Sequence, residues 1–360
     1  MKIKEICEYG KKSKIKAGEG LSEGNVKFFT SSSESNKFVK EEQFTNPGII
    51  MGTGGNATLH YCDEPFSVST DCLVLFPKIK VSPKHLYYFF KGNFHVLQSG
   101  FKGAGLKHTS KKYIDEISLN HIPSNDEQVQ IVNILDNVND IIVKKNQQLQ
   151  EYDQLIKSRF VEMFGDIFNG KSNYPTVKIS EVVIPKIERA KKDFNSDDEI
   201  KYVDISSVDN EKNIIIGYSD YLMKDAPSRA QQHVRKDDIV ISTVRPNLNN
   251  VAKVSDDYSN IVASSGFCVL RASMVEPNFL FALVSMQSFA DYLASLTTGA
   301  NYPAVSDKDI LNFEIPNAPF EEQTKFSDFI KQVDKLKFVV QQSLDETQKL
   351  FDSLMQKYFG

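Results

Sequence analysis

Between residues 123 and 165 the apolar positions advance in steps of four and three, through Ile131, Leu135, Val138, Ile142, Leu149, Tyr152, Ile156 and Met163. That spacing gathers them into a narrow stripe along one side of a helix, suited to seating against a second helix. Ser124-Asn125-Asp126-Glu127 opens the stretch as a capping box, the serine capping the first turn and the glutamate reaching back. Gly165 is a stop signal. About 39 helical residues at ~1.5 Å each predict a rod on the order of 58 Å, longer than most globular helices. Lys145 and Arg159 interrupt the stripe.

The pattern returns at the end of the chain. With Gln128 set on Gln323, residues 316–360 align without a gap to the last residue: Glu127 meets Glu322, Ile131 meets Phe326, Leu135 meets Ile330, Val138 meets Val333 and Leu149 meets Leu344. Both copies are preceded by Ile-Pro (Ile122-Pro123, Ile315-Pro316) and end in Phe-Gly (Phe164-Gly165, Phe359-Gly360). An internal repeat of this length sets the architecture before any motif does.

The segments before the two helices also share an order of parts. In the first, residues 3–7 make a short apolar opening, and lysine-, glycine- and serine-rich loops follow to residue 35. The glycine turn Gly52-Thr53-Gly54-Gly55 precedes strands over 57–61 and 72–76, and a helix begins at Pro83. A basic loop covers 100–110, and a closing strand is expected within 114–122. In the second, the opening is 177–182, with strands at 202–205, 214–216, 238–243, 251–254 and 266–270. A helix over 277–296, a loop over 297–306 and a closing strand within 309–315 complete it. The chain therefore divides as 1–122, first module; 123–175, first long helix and linker; 176–316, second module; and 317–360, second long helix. The expected fold class is α+β: two globular α/β modules separated by two long helices that form an antiparallel intramolecular coiled coil, a pseudo-two-fold internal repeat. Pairing the helices within one chain would place the modules at opposite ends, the symmetry of a duplex site with two inverted halves.

Composition limits the remaining choices. The length suits two or three domains, and the hydrophobic and charged fractions are those of a globular protein. Neither a signal peptide nor a membrane-length apolar run is visible, and the four cysteines lack zinc or disulfide spacing, which points to a cytoplasmic protein with reduced thiols. The formal net charge of −4 hides an asymmetry: about +5 over 1–122, all of its positive charge lysine, and about −5 over 176–316, which carries Arg189, Arg229, Arg235, Arg245 and Arg271.

Catalytic signatures are missing. There is no Walker A loop, nucleophile elbow or Cys/His pair, and the Gly52 turn lacks the lysine and helix of a phosphate cradle. Asn301-Tyr302-Pro303-Ala304 differs from the Asn-Pro-Pro-Tyr of adenine methyltransferases in order and in one proline. The chain is expected to bind no metal or cofactor and to catalyse nothing. Its polar loops instead carry side chains that read DNA: arginine and lysine grip guanine, asparagine and glutamine adenine, and serine and threonine bases or phosphates. The candidates in the first module are Lys102, Lys107, His108, Thr109, Ser110 and Lys111. In the second they are Arg229, Gln231, Gln232, His233, Ser242, Thr243, Arg245, Asn247, Asn249, Asn250, Asn301 and Tyr302.

In layout and short motifs the whole chain resembles the specificity subunits of type I restriction-modification systems. The motifs are Ile122-Pro123 with Glu127-Gln128, Ile315-Pro316 with Glu322-Gln323, Asp238-Ile239-Val240-Ile241-Ser242 ahead of the Arg245 loop, and the loops 106–110 and 301–306. The first module is short for that family, whose recognition domains vary widely, so no base-reading residue is carried over. The resemblance implies that the modules are target-recognition domains, each reading one half of a split double-stranded DNA target. It further implies that the helices set the gap and dock two methyltransferase subunits, with two motor-nuclease subunits joining to complete the restriction enzyme. S-adenosylmethionine, ATP and Mg2+ would belong to those partners. Two alternatives stay open: a coiled-coil adaptor without DNA readout, and the specificity subunit of a related combined nuclease-methyltransferase system.

Overall fold

The computed structural model describes residues 1–78, 81–103, 105–297 and 303–360. It contains two compact units, Met1–Asn146 with Gln342–Gly360, and Gln147–Gln341. Each unit holds one module and half of each long helix, so the compact bodies divide in mid-helix, whereas the sequence pattern changes at the module borders.

Both long helices form over 40 residues, Asn125–Phe164 and Phe320–Phe359. The first starts as its capping box predicts: Glu127 accepts from the Ser124 amide at 2.9 Å. It stops at Gly165, whose φ of +93° favours glycine and where a Cβ would lie 2.4 Å from the Lys171 carbonyl oxygen. In the first unit Leu135 and Val138, near the start of the first helix, are buried with Phe351 and Met355, near the end of the second. In the second unit Phe160 and Phe164, at the end of the first helix, meet Phe326 at the start of the second. The helix halves are therefore antiparallel within each unit. The polar breaks in the stripe are filled from the facing helix. Lys145 Nζ donates to the Ser343 carbonyl at 2.9 Å and to Thr347 Oγ1 at 3.1 Å, and Lys337 pairs with Asp153.

Each module is built on the same three antiparallel strands, with the first in sequence at the centre. In the first, strand Gly48–Gly52 lies between Leu59–Cys62 and Cys72–Pro77. In the second, Ile239–Ser242 lies between Val251–Lys253 and Phe267–Leu270. The central strands read as unbroken apolar runs because both faces are buried. The apolar openings contain single helical turns, Ile3–Ile6 and Ile179–Val182, each started by a glutamate accepting from a lysine amide (Glu5 from Lys2, Glu181 from Lys178). The helical turns Lys111–Asp115 and Asp307–Leu311, started at Ser110 and Ser306, run into the expected closing spans, so the strands there are short: Ser118 bridges Lys2, and Glu314–Pro316 pairs with Thr176–Lys178. Short apolar runs do not distinguish one helical turn from a strand, and here the capping side chains decide. The expected helix over 277–296 is two, Pro277–Val284 and Gln287–Ser295.

A buried amide joins module to helix in both units. Gln128 Oε1 accepts from the amide of Ser82, the cap of helix Pro83–Gly92, at 2.8 Å, and its Nε2 donates to the Pro123 carbonyl at 2.9 Å. Gln323 Oε1 accepts from the amide of Glu276, the cap of helix Pro277–Val284, at 2.9 Å, and its Nε2 donates to the Ala318 carbonyl at 2.8 Å. Both glutamines are almost wholly buried. Three residues after each cap comes a ring against the Phe of the Phe-Gly ending. Phe279 meets Phe164 edge-on at 4.6 Å, and His85 meets Phe359 at 5.1 Å.

His85 thus stands where the other unit has phenylalanine, and neither of its ring nitrogens has a partner among the described residues. Burial lowers its pKa from 6.5 to about 4. Between those values the unfolded chain binds the extra proton, so this histidine makes stability fall as the pH drops through the window, by roughly 3 kcal/mol at most. Urea denaturation of His85→Phe between pH 7 and 4 is expected to lose less stability on acidification than the wild type; equal losses would show that His85 is not buried as described.

Candidate nucleic-acid interface

The loop that leaves the central strand of each module is tied down in the same way. Thr53 donates its amide (2.8 Å) and its Oγ1 (2.9 Å) to the Asp71 carbonyl; Thr243 donates both, each at 3.0 Å, to the Gly266 carbonyl. The Thr53 carbonyl accepts from Thr109 and the Thr243 carbonyl from Val305. Gly54 bridges His108, and Val244 bridges Ala304. The Gly55 amide donates to Lys107 at 2.9 Å, and the Arg245 amide to Pro303 at 2.8 Å. Each module therefore presents one ledge made of two loops, the turn after the central strand and the loop before the short closing helix.

On the first ledge Lys102, Lys107 and His108 are exposed, with the Lys102 and His108 backbones paired at 3.0 Å. Lys111 is exposed over the Tyr9 ring at 4.0 Å. Ser110 caps the following helix, and Thr109 turns its hydroxyl inward. The sequence reading missed the partner turn, Thr53 to Asn56, and the neighbouring Ser31, whose Oγ donates to the same Asp71 carbonyl at 2.8 Å. The available signal was the likeness of Ile49-Ile50-Met51-Gly52-Thr53 to Ile239-Val240-Ile241-Ser242-Thr243.

On the second ledge Arg245 and Asn247 are exposed, and Asn250 is half-buried. Several other candidates use their polar groups to build the loop. Ser242 is buried and donates to the Val244 carbonyl at 2.8 Å. Asn249 donates to the Ser285 carbonyl at 2.9 Å. Gln232 donates to both the Ser264 and Phe267 carbonyls, and His233 lies between Asp193 (2.6 Å) and the Ser259 carbonyl (3.0 Å). These side chains hold position, as does the Thr243 hydroxyl. Arg229, just before strand Ala230–Val234, and Gln231, on it, are exposed; Gln231 Nε2 donates to the Ser228 carbonyl at 2.9 Å, and the Arg229 carbonyl accepts from Ser265, next to the Gly266 that anchors Thr243. Asn301 and Tyr302 lie outside the described residues.

The arginines of the second module divide sharply. Arg271 forks onto buried Asp238 at 2.9 and 2.7 Å and also meets Glu188, so that hydrogen bonding to Asp238 above all raises its pKa and holds it charged. Arg235 shares Glu188. Arg189, Arg229 and Arg245 meet no carboxylate among the described residues. The four thiols are free and buried, burial pushing Cys7 up to about 12, and no cluster among the described residues has the arrangement to hold a metal.

Comparison with known proteins follows the same division into two. A sequence model of the type I restriction modification DNA specificity domain matches residues 1–151 and again 171–346. The chain belongs to that family. It is 25% identical over 346 residues to the specificity subunit of the type I restriction enzyme MjaVIII of Methanocaldococcus jannaschii, covering 89% of this chain and 81% of that one. It is 19% identical to the EcoDI specificity subunit of Escherichia coli, over 96% of this chain and 84% of that one. The crystal structure of the type I restriction-modification S subunit from M. genitalium matches all of this chain and 95% of its own, with a TM-score of 0.59 at 14% identity, which shows a shared fold. The fold class expected from the repeat is that of the family. No helix among the described residues is long and apolar enough to cross a membrane.

The division of the arginines has a direct test. Arg271→Ala strands buried Asp238 and is expected to cost about 3 kcal/mol or more, whereas Arg229→Ala should change stability by less than about 0.5 kcal/mol. Equal destabilisation in chemical denaturation would contradict the assignment of Arg271 to the framework.

Proposed function

We propose that this chain is the DNA-reading subunit of a type I restriction-modification complex and makes or breaks no bond itself. Each module reads one half of a split target, and the long helices fix the gap between the halves. The observation that carries this reading is the duplicated ledge. Two modules of unlike charge tie the same pair of loops together with the same backbone bonds, yet present different exposed side chains. Conserving a frame while varying its tips is what a reader of two different half-sites requires. The narrowed set of reading side chains is Lys102, Lys107, His108 and Lys111 in the first module, and Arg229, Gln231, Arg245, Asn247 and Asn250 in the second.

In the assembled complex, two methyltransferase subunits would dock on the helices and bring S-adenosylmethionine, and two motor-nuclease subunits would bring ATP and Mg2+. The complex would then methylate adenines in its own target and cut DNA that lacks the mark.

Replacing residues 1–122 with the first module of another specificity subunit, in a complex with the methyltransferase, tests this reading. Sequencing of the methylated adenines is expected to show one half of the target changed and the other retained. A change in both halves, or in neither, would contradict it.

A further inference from the structure

The two ledges repeat the same backbone bonds at Thr53 and Thr243, at Gly54 and Val244, and at the residue after each, and at that last position they differ in kind. Gly55 and Arg245 occupy the same place: each follows the bridged residue, each donates its amide to the opposite loop, and each has a left-handed backbone, with φ of +81° and +51°. Glycine adopts that conformation freely, whereas a residue with a Cβ is strained in it. Arg245 also precedes Pro246, which favours extended backbone for the residue before it. The surrounding bonds hold it regardless. Its amide meets Pro303, its carbonyl accepts from Leu248 at 3.0 Å, and Pro246 is buried. A Cβ built at Gly55 would meet nothing within 4 Å, so at that position of the first ledge the backbone angle, and not lack of space, favours glycine.

An arginine kept where the sister module has glycine needs a reason in its side chain. That reason is not internal packing, because Arg245 is exposed and meets no carboxylate or ring among the described residues. Strain of this kind persists at functional positions that the surrounding structure over-determines. The guanidinium is a planar fork of donors, and the commonest base-specific partner for such a fork is the O6 and N7 edge of guanine.

We propose that Arg245 is the guanine-reading residue of the second module, and that the first module, with Gly55 at the matching place, reads no base there with a side chain. This rests on the DNA-reading function proposed above.

The test uses the full chain in complex with its methyltransferase subunit, as wild type, Arg245→Gly and Arg245→Lys. Binding is measured by competition over duplexes carrying each of the four base pairs at every position of the wild-type target. Arg245→Gly is expected to lose its preference for one G·C pair, roughly 10- to 100-fold, in one half of the target only. The other half should be read as before, and the thermal midpoint should be unchanged or higher, because the strained residue has been relieved. Arg245→Lys keeps the charge but not the fork, and is expected to lose most of the same preference. The proposal is overturned if Arg245→Gly keeps every preference, or if it weakens binding to all sequences alike and lowers the salt slope by about one, the signature of a phosphate contact. A wild-type complex that binds all sequences equally would instead remove the DNA-reading function itself.

Discussion

An amide buried at the first turn of each long helix connects the parts of this protein. Gln128 and Gln323 each accept from the backbone of a helix cap in their own module and donate to the backbone just before the long helix. Two hydrogen bonds of about 1 kcal/mol each are a small part of the total stability. Their geometric effect is larger, because a buried amide left unsatisfied is costly and the helix therefore has one acceptable seat on its module. The aromatic contacts one turn further on, Phe279 on Phe164 and His85 on Phe359, fasten the other long helix to the same place. Each module is thereby held by the start of one helix and the end of the other.

That rigid seat bears on the ledges. One loop of each ledge grows from the central strand of its module, and backbone bonds from Thr53 and Thr243 set its course and tie it to the second loop. Frame and tip are chemically separate. Ser242, Gln232, Asn249 and the Arg271–Asp238 pair spend their polar groups inside the second module, while Arg229, Arg245 and Asn247 leave theirs outside. A module of this kind can change what it reads without changing how it folds, which fits a family whose members share a fold at low sequence identity.

The long helices and their repeat were legible in the sequence because periodicity, capping box and Phe-Gly stop are local signals that agree with one another. The central strands were legible too, since a buried strand has no polar positions to disguise it. The single-turn helices Ile3–Ile6 and Lys111–Asp115 were not legible, because one turn is too short to show a period and its cap is a single side chain. The ledge was half legible. Loops rich in Arg, Asn and Lys announced themselves, but the pairing of Gly54 with His108 and of Val244 with Ala304 joins residues more than fifty positions apart, and only the fold brings them together. Composition marks a side chain as a candidate without showing whether the interior has claimed it, as with Asn249.

The central claim is that one helical pair measures the distance between two independent readers. Inserting one heptad into each long helix, at 146/147 and 341/342, keeps the apolar stripe in phase and adds about 10 Å to the pair. Sequencing the adenines methylated by the altered complex is the most direct test. The account predicts both half-sites unchanged and the gap between them longer, by up to about three base pairs at ~3.4 Å each. An unchanged gap in an active complex would show that the helices are not the ruler.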